Sequence, residues 1–140
     1  LKPLIIPDSS VMIKWCVKEE EDRAQIVQMQ HDFLEKSFEL LAPMIIEWEV
    51  NNYLGRNFRP EIATEKYSYF KMLEITEAMT TVELSHLAFQ IMKKCTGVTF
   101  YDASYHALAL SKGGVFLTAD RKYYEKAKKL GHIQLLKDYS

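Results

Sequence analysis

Four acids carry the chemistry this sequence can offer: Asp8, Glu49, Asp102 and Asp120. Each lies on a helical pattern or near a place where an apolar run gives way to one. Several carboxylates aimed at one point repel one another, and hard divalent cations such as Mg²⁺ or Mn²⁺ relieve that repulsion with oxygen ligands. A cation held in this way lowers the pKa of a water and neutralises charge on a phosphate. The pattern therefore points to a metal-dependent nuclease that hydrolyses phosphodiesters without a histidine.

Each acid also has a plainer reading. Asp8, Asp102 and Asp120 fall near helix starts, where an acid caps free amides or complements the helix dipole for roughly 1 kcal/mol. Glu49, taken alone, reads as a surface glutamate. Asp8 and Asp120 gain weight because both follow runs with the look of central strands. In open parallel sheets, ligands sit in the crevice beyond the strands' carboxyl ends.

The elements that must position these acids follow from apolar spacing. Leu4, Ile5 and Ile6 form a run too short for a helix and suited to a strand buried on both faces, which Pro7 ends. Ser9 and Ser10 are suitable N-caps for a helix carrying Val11, Met12, Trp15 and Cys16. A charged knot from Lys18 to Arg23 interrupts it. A second helical face runs from Ala24 to about Lys36 through Ile26, Val27, Met29, Phe33 and Leu34. Phe38 to Ala42 reads as a strand stopped by Pro43, and a helix is expected from about Met44 to Asn57. On it Glu47 and Glu49 lie about 200° apart, so both cannot face one site and one must be solvated. Glu49 shares a stripe with Ile45, Asn52, Tyr53 and Arg56 and is the better candidate.

Further helices are expected at Glu61 to Leu73, Val82 to Cys95, from Thr99 to the Gly113-Gly114 stop, and Arg121 to Leu130. Thr99-Phe100-Tyr101-Asp102 has the form of a capping box. Strands are expected at Val115 to Leu117 and Ile133 to Leu136, with a weaker one over Glu74 to Met79 that turns Ile75, Ala78 and Met79 inward. Strands alternating with helices through short links imply one α/β domain over residues 1–140, with a central, mostly parallel sheet and helices on both faces.

Around the acids, Ser10 and Thr118 are candidates to hydrogen-bond a carboxylate or a metal-bound water, with helix capping as the alternative, and Asn52 is a candidate to orient Glu49 or touch substrate. Lys14, Arg56, Arg59, Arg121 and Lys122 form a candidate phosphate-binding rim, with ordinary solvated charge as the alternative for each. His106 lies one turn after Asp102, but a lone histidine is more often structural. His31, His86 and His132 form no constellation. Trp15 and Trp48 read as core or interface residues.

The 140 residues carry a formal charge of −1, which excludes a wholly basic nucleic-acid binder but not a local basic rim. Cys16 and Cys95 lack ligand spacing and read as the buried thiols of a reduced, cytoplasmic protein. No apolar run is long enough to span a bilayer, and no signal-peptide layout is visible at the N-terminus.

Four segments, IIPDSSVMIKW with the EEED that follows it, LLAPMIIEWEVNNYL, FYDASYHALAL and VFLTADRKYYEKAKKLG, together resemble the PIN-domain family, in particular the VapC toxin ribonucleases of prokaryotic toxin–antitoxin pairs. The resemblance runs almost end to end, and the four motifs in order are specific where each alone is loose. It implies a PIN-like three-layer α/β/α sandwich in which Asp8, Glu49, Asp102 and Asp120 are the acids of the catalytic, metal-binding set. It further implies a Mg²⁺- or Mn²⁺-dependent endoribonuclease that leaves a 5′-phosphate and a 3′-hydroxyl. A homodimer and an antitoxin whose C-terminal segment fills the substrate groove are implied as well. Some family members carry another acid or amide shortly after the last aspartate. Here Lys122, Tyr123 and Tyr124 follow, which bears on whether a second metal is held.

Within the nuclease class, a standalone RNA-processing or decay enzyme is the alternative. A phosphoacceptor signalling domain also places acids at strand ends, but it calls for a paired acid after the first strand, where this chain has Asp8 followed by serines. A catalytically silent RNA-binding module would more naturally have lost one of the acids.

Overall fold

The computed structural model describes residues 2–140 and has five strands, all parallel, in the order β3-β2-β1-β4-β5. The strands are β1 (Leu4–Pro7), β2 (Glu39–Pro43), β3 (Thr76–Ala78), β4 (Val115–Thr118) and β5 (Ile133–Leu135). Seven α-helices connect them: α1 (Ser9–Cys16), α2 (Arg23–Leu34), α3 (Ile45–Asn57), α4 (Pro60–Met72), α5 (Val82–Lys94), α6 (Phe100–Lys112) and α7 (Arg121–Ala127). The arrangement is the α/β/α sandwich expected.

The order puts β1 in the centre, flanked by β2 through Ile5 opposite Leu40 and by β4 through Ile6 opposite Phe116. Between the exposed Glu39 at the start of β2 and the buried Thr118 at the end of β4 these strands are apolar, because a sheet covered on both faces has no solvent side to alternate towards. Gly114 permits the close approach of β4 to β1: a Cβ there would stand 2.6 Å from Ile6 Cδ1 and 2.9 Å from the Leu4 carbonyl oxygen. Asp8 N–H donates to the Leu117 carbonyl at 3.0 Å, carrying the pairing one residue past β1 and fixing Asp8 at the carboxyl edge. Helix α6 runs along β1, β2 and β4 and packs on α5, while α1 touches α2, α3 and α4. The small side chains Ala103, Ala107 and Ala109 are fully buried there, so the α6 backbone sits close to the sheet.

The differences from expectation have local causes. Asp8, not Ser9 or Ser10, caps α1, because its carboxylate accepts from Val11 N–H while the serines have already entered the helix. Strand β3 keeps only Thr76–Ala78, since its edge position offers a single neighbour, and Met79 lies outside it, 73% exposed. Helix α7 stops at Ala127, and Lys128–Leu130 tighten into a 3₁₀ turn before Gly131. Leu136 is fully buried but belongs to a second 3₁₀ turn rather than to β5. On α2, Ile26 and Met29 are buried, whereas Val27 and Leu34 face solvent.

Candidate active site

Asp8 is the innermost of the four acids. It is 7% exposed, and its carboxylate accepts from the hydroxyls of Ser10 and Thr118 as well as from Val11 N–H at 3.2 Å. Burial pushes its pKa up to about 6 against the pull of these donors, with the Asp102 charge adding to the rise. The two hydroxyls also tie Asp8 to the loop after β4. Ser10 Oγ accepts from Ala119 N–H at 3.2 Å, and Thr118 Oγ1 accepts from Asp120 N–H at 3.0 Å. The fully buried Thr118 thus links the first and last acids through one side chain.

Asp102 stands in the first turn of α6, whose cap Thr99 accepts from Asp102 N–H at 3.1 Å. Its carboxyl is raised by burial and by the Asp120 charge. Glu49, on α3, is raised by burial and then by Asp102, against a lowering hydrogen bond from the Tyr105 hydroxyl at 2.5 Å. Asp120 is exposed and caps α7, its Oδ1 accepting from Tyr123 N–H at 3.0 Å. Asp8 and Asp120 therefore act as caps while facing one edge of the sheet. Charge effects chain Asp102 to each of the other three acids.

The donor set suits a hard cation in kind: all oxygens, three of four carboxyls raised by burial, and each of these raised further by a neighbouring acid. Among the described residues, no three His, Cys, Asp or Glu side chains converge tightly enough to enclose an ion. The hydroxyls on Asp8 and Glu49 hold those two side chains on the protein.

Asn52 and Arg56 line a polar groove with Glu49, together with Ser9, Ile13, Tyr53 and Asn57. Asn52 also lines a cleft of about 270 Å³ with Ile45, Trp48, Glu49 and Tyr101. Arg121 and Lys122 are exposed on the first turn of α7 beside Asp120. Arg59 precedes α4 and pairs with Glu61 at 3.9 Å, away from both clefts. Lys14 is largely buried and ion-paired with Glu19 at 3.3 Å, so its charge is already matched within the chain. Glu47 is not solvated as expected. It accepts from Tyr67 and from Lys71 Nζ at 3.0 Å, and so occupies a separate polar cluster on the far side of α3. His106 is fully buried between the Tyr123 hydroxyl and the Gly131 carbonyl, a structural role.

Two features were not read from the sequence. Tyr105 holds Glu49, and its position one turn after Asp102 was the signal available. The second is an apolar surface. Pro43, Met44, Ile45, Trp48, Thr80, Leu84, Phe100, Tyr101 and Ser104 line a cavity of about 280 Å³. It continues through Thr80 to Val82 and Phe89.

The PIN domain family profile matches residues 5–129. The chain belongs to the PIN-domain family. Among curated proteins none matches it in sequence. Solved structures of low sequence identity share its fold. FitAB bound to the IR36 DNA fragment aligns with a TM-score of 0.73 at 12% identity, covering 97% of each chain. VapBC2 from Rickettsia felis, bound to a DNA fragment from its promoter, gives 0.71 at 10% identity over 94% of this chain and 96% of that one. VapC20 of Mycobacterium tuberculosis, a sarcin–ricin loop cleaving toxin, gives 0.62 at 15% identity over 79% and 84%. Among the described residues, no helix of this PIN domain is long and apolar enough to cross a membrane.

Proposed function

We propose that this PIN domain is a metal-dependent endoribonuclease and the VapC-like toxin of a toxin–antitoxin pair. The observation that carries the reading is the buried Asp8, coupled by charge to Asp102 at the carboxyl edge of a parallel sheet. A buried, repelled carboxylate is costly unless a cation joins it. Asp8, Glu49, Asp102 and Asp120 would hold Mg²⁺ or Mn²⁺. When bound, the ion supplies a Lewis acid that makes water a nucleophile at neutral pH and neutralises charge on the phosphate. Ser10 and Thr118 keep Asp8 oriented, and Asn52 and Arg56 line the path by which an RNA strand reaches Glu49. Arg121 and Lys122 offer cations beside Asp120. Hydrolysis leaves a 5′-phosphate and a 3′-hydroxyl.

The partner reading has two supports. Several similar structures are toxin–antitoxin complexes, so a small antitoxin protein is the expected partner of this chain in the cytoplasm. The apolar surface favours a homodimer. Met44, Trp48, Val82, Phe89 and Tyr101 are all substantially exposed around two cavities that share Thr80, and Met79, next to Thr80 in the chain, is exposed as well. At roughly 150–250 Å² for a full aromatic side chain, they leave on the order of 700 Å² uncovered. That approaches the roughly 800 Å² per partner of a standard interface.

Cleavage of a labelled structured RNA by the wild type, Asp8→Asn and Asp102→Asn, in Mg²⁺, Mn²⁺ or EDTA, tests the reading. Cutting that needs the metal and falls on the order of 10³-fold or more in both variants is expected. A folded protein that binds RNA and never cuts it overturns the nuclease.

A further inference from the structure

Tyr105 is a core residue with one polar atom, and that atom is spent on a candidate ligand. The residue is 1% exposed, and its ring stacks on Phe116 of β4 with centroids 5.8 Å apart and planes 14° from parallel. A buried phenol must find an acceptor, since an unsatisfied donor loses its hydration without replacement. The acceptor here is Glu49 Oε1, 2.5 Å away and 56 positions earlier in the chain. Ser9 lines the same groove as Glu49.

The placement matters because of what α6 carries. Asp102 occupies the first turn of that helix, and Tyr105 follows one turn later. One rigid element therefore presents one acid directly and grips another that belongs to α3. Without that grip Glu49, a long side chain on a half-exposed helix face, is free to leave the crevice for solvent and must lose rotamer freedom to return. The grip need not consume the ligand. A carboxylate offers about four lone-pair sites, and a hydroxyl donor on one oxygen leaves the other for a cation. Asp8 is also held by hydroxyls, Ser10 on one oxygen and Thr118 on the other.

We infer that Tyr105 is a positioning residue that sets the orientation of Glu49 towards a divalent cation shared with Asp102. The inference rests on the metal-dependent reading of the site. It goes beyond that reading by assigning the α6 hydroxyl a function in metal affinity rather than in packing.

The test is Mn²⁺ binding by isothermal titration to wild type, Tyr105→Phe, Glu49→Gln and the double variant, followed by RNA cleavage across a Mn²⁺ series. Tyr105→Phe keeps the ring against Phe116 and removes only the hydroxyl. Its Mn²⁺ affinity is expected to fall about 10- to 100-fold, the usual consequence of losing a group that orients a ligand. Cleavage by Tyr105→Phe should recover towards the wild-type rate at saturating Mn²⁺. In the Glu49→Gln background the same substitution should cost nothing further. Glu49→Asp, which keeps the charge but draws it out of reach of the hydroxyl, should reproduce the loss even if Tyr105→Phe folds poorly.

Unchanged or tighter Mn²⁺ binding by a folded Tyr105→Phe overturns the inference and leaves the nuclease standing. So does an equal loss in the presence and absence of Glu49. A wild type that binds no Mn²⁺ overturns both.

Discussion

Helix α3 divides two walls of different chemistry. On one side Glu49 opens onto Ser9, Asn52, Tyr53, Arg56 and Asn57, a groove of amides, hydroxyls and one guanidinium. On the other lie Met44, Ile45, Trp48, Leu84, Phe100 and Tyr101, mostly apolar surface in which the Trp48 indole N–H and the Tyr101 hydroxyl are the polar groups of these six side chains. A polyanion needs donors and positive charge along its path, whereas an exposed apolar patch needs another apolar surface. Under the proposed function, the polar wall suits the substrate and the apolar wall suits a protein partner. Both meet in the cleft of Ile45, Trp48, Glu49, Asn52 and Tyr101, so what covers the apolar wall also borders the acids.

The largest effect that would break this division is expected at Trp48, 75% exposed at the middle of the apolar wall. Trp48→Glu places a charge where a second copy would bury it. The dimer dissociation constant should rise by 100-fold or more, since losing a central aromatic anchor costs about 2–4 kcal/mol. Sedimentation velocity across a concentration series reads this directly. If the wild type is monomeric throughout, the apolar wall has another occupant.

The two walls were unequally legible in the sequence. The polar wall was visible because its residues share a helical stripe: Ile45, Glu49, Asn52, Tyr53 and Arg56 recur at spacings of three and four, and periodicity reports a common face. Asp8 and Asp120 were visible because each follows an apolar run, which is how a central parallel strand announces its end. The apolar wall draws instead on the start of α3, the turn before α5, α5 itself and the start of α6. No local pattern joins Trp48 to Phe89, and an exposed tryptophan reads in sequence like a core one. Glu47 illustrates the converse. Helical geometry separated it correctly from Glu49, but only the tertiary approach of α4 supplies Tyr67 and Lys71 to occupy it. Lys14 was placed on the rim by proximity, and Glu19, folding back from the charged knot, takes its charge. Pairings across turns and elements are set by packing, not by propensity.

A smaller effect sharpens the assignment of the acids. Because burial raises Asp8 from 3.8 to about 6, the fold favours its protonated form. The stability this contributes is present below the ordinary value and is lost as pH rises through about 6. Asp8→Asn, which cannot ionise, should therefore be more stable than wild type at pH 7.5 in EDTA, by on the order of 2 kcal/mol or roughly 5 °C in Tm. Calorimetry at intervals down to pH 4 should find the gap closing as wild-type Asp8 takes up its proton. Added Mn²⁺ should stabilise the wild type and leave Asp8→Asn nearly unmoved. A variant less stable than wild type at every pH would mean that the hydrogen bonds from Ser10 and Thr118 outweigh the buried charge.

The smallest effect separates cations that share a wall from those that merely lie near it. Arg56 is exposed and lines the polar groove, whereas Lys14 is matched by Glu19 and lies within 3.9 Å of Glu21. Arg56→Ala should weaken binding of a single-stranded RNA by a few-fold and lower the slope of log K against log salt by about 0.7, the counterion release of one phosphate contact. Lys14→Ala should leave the slope unchanged, because Lys14 is held by Glu19 and Glu21 and has no charge to spare for a phosphate, and the two carboxylates it uncovers repel the strand only weakly through salt. Binding by the uncleaving Asp102→Asn protein, titrated at several salt concentrations, measures both. If Lys14→Ala lowers the slope and Arg56→Ala does not, the strand crosses α1 rather than following α3. The substrate path then runs beside the groove rather than through it.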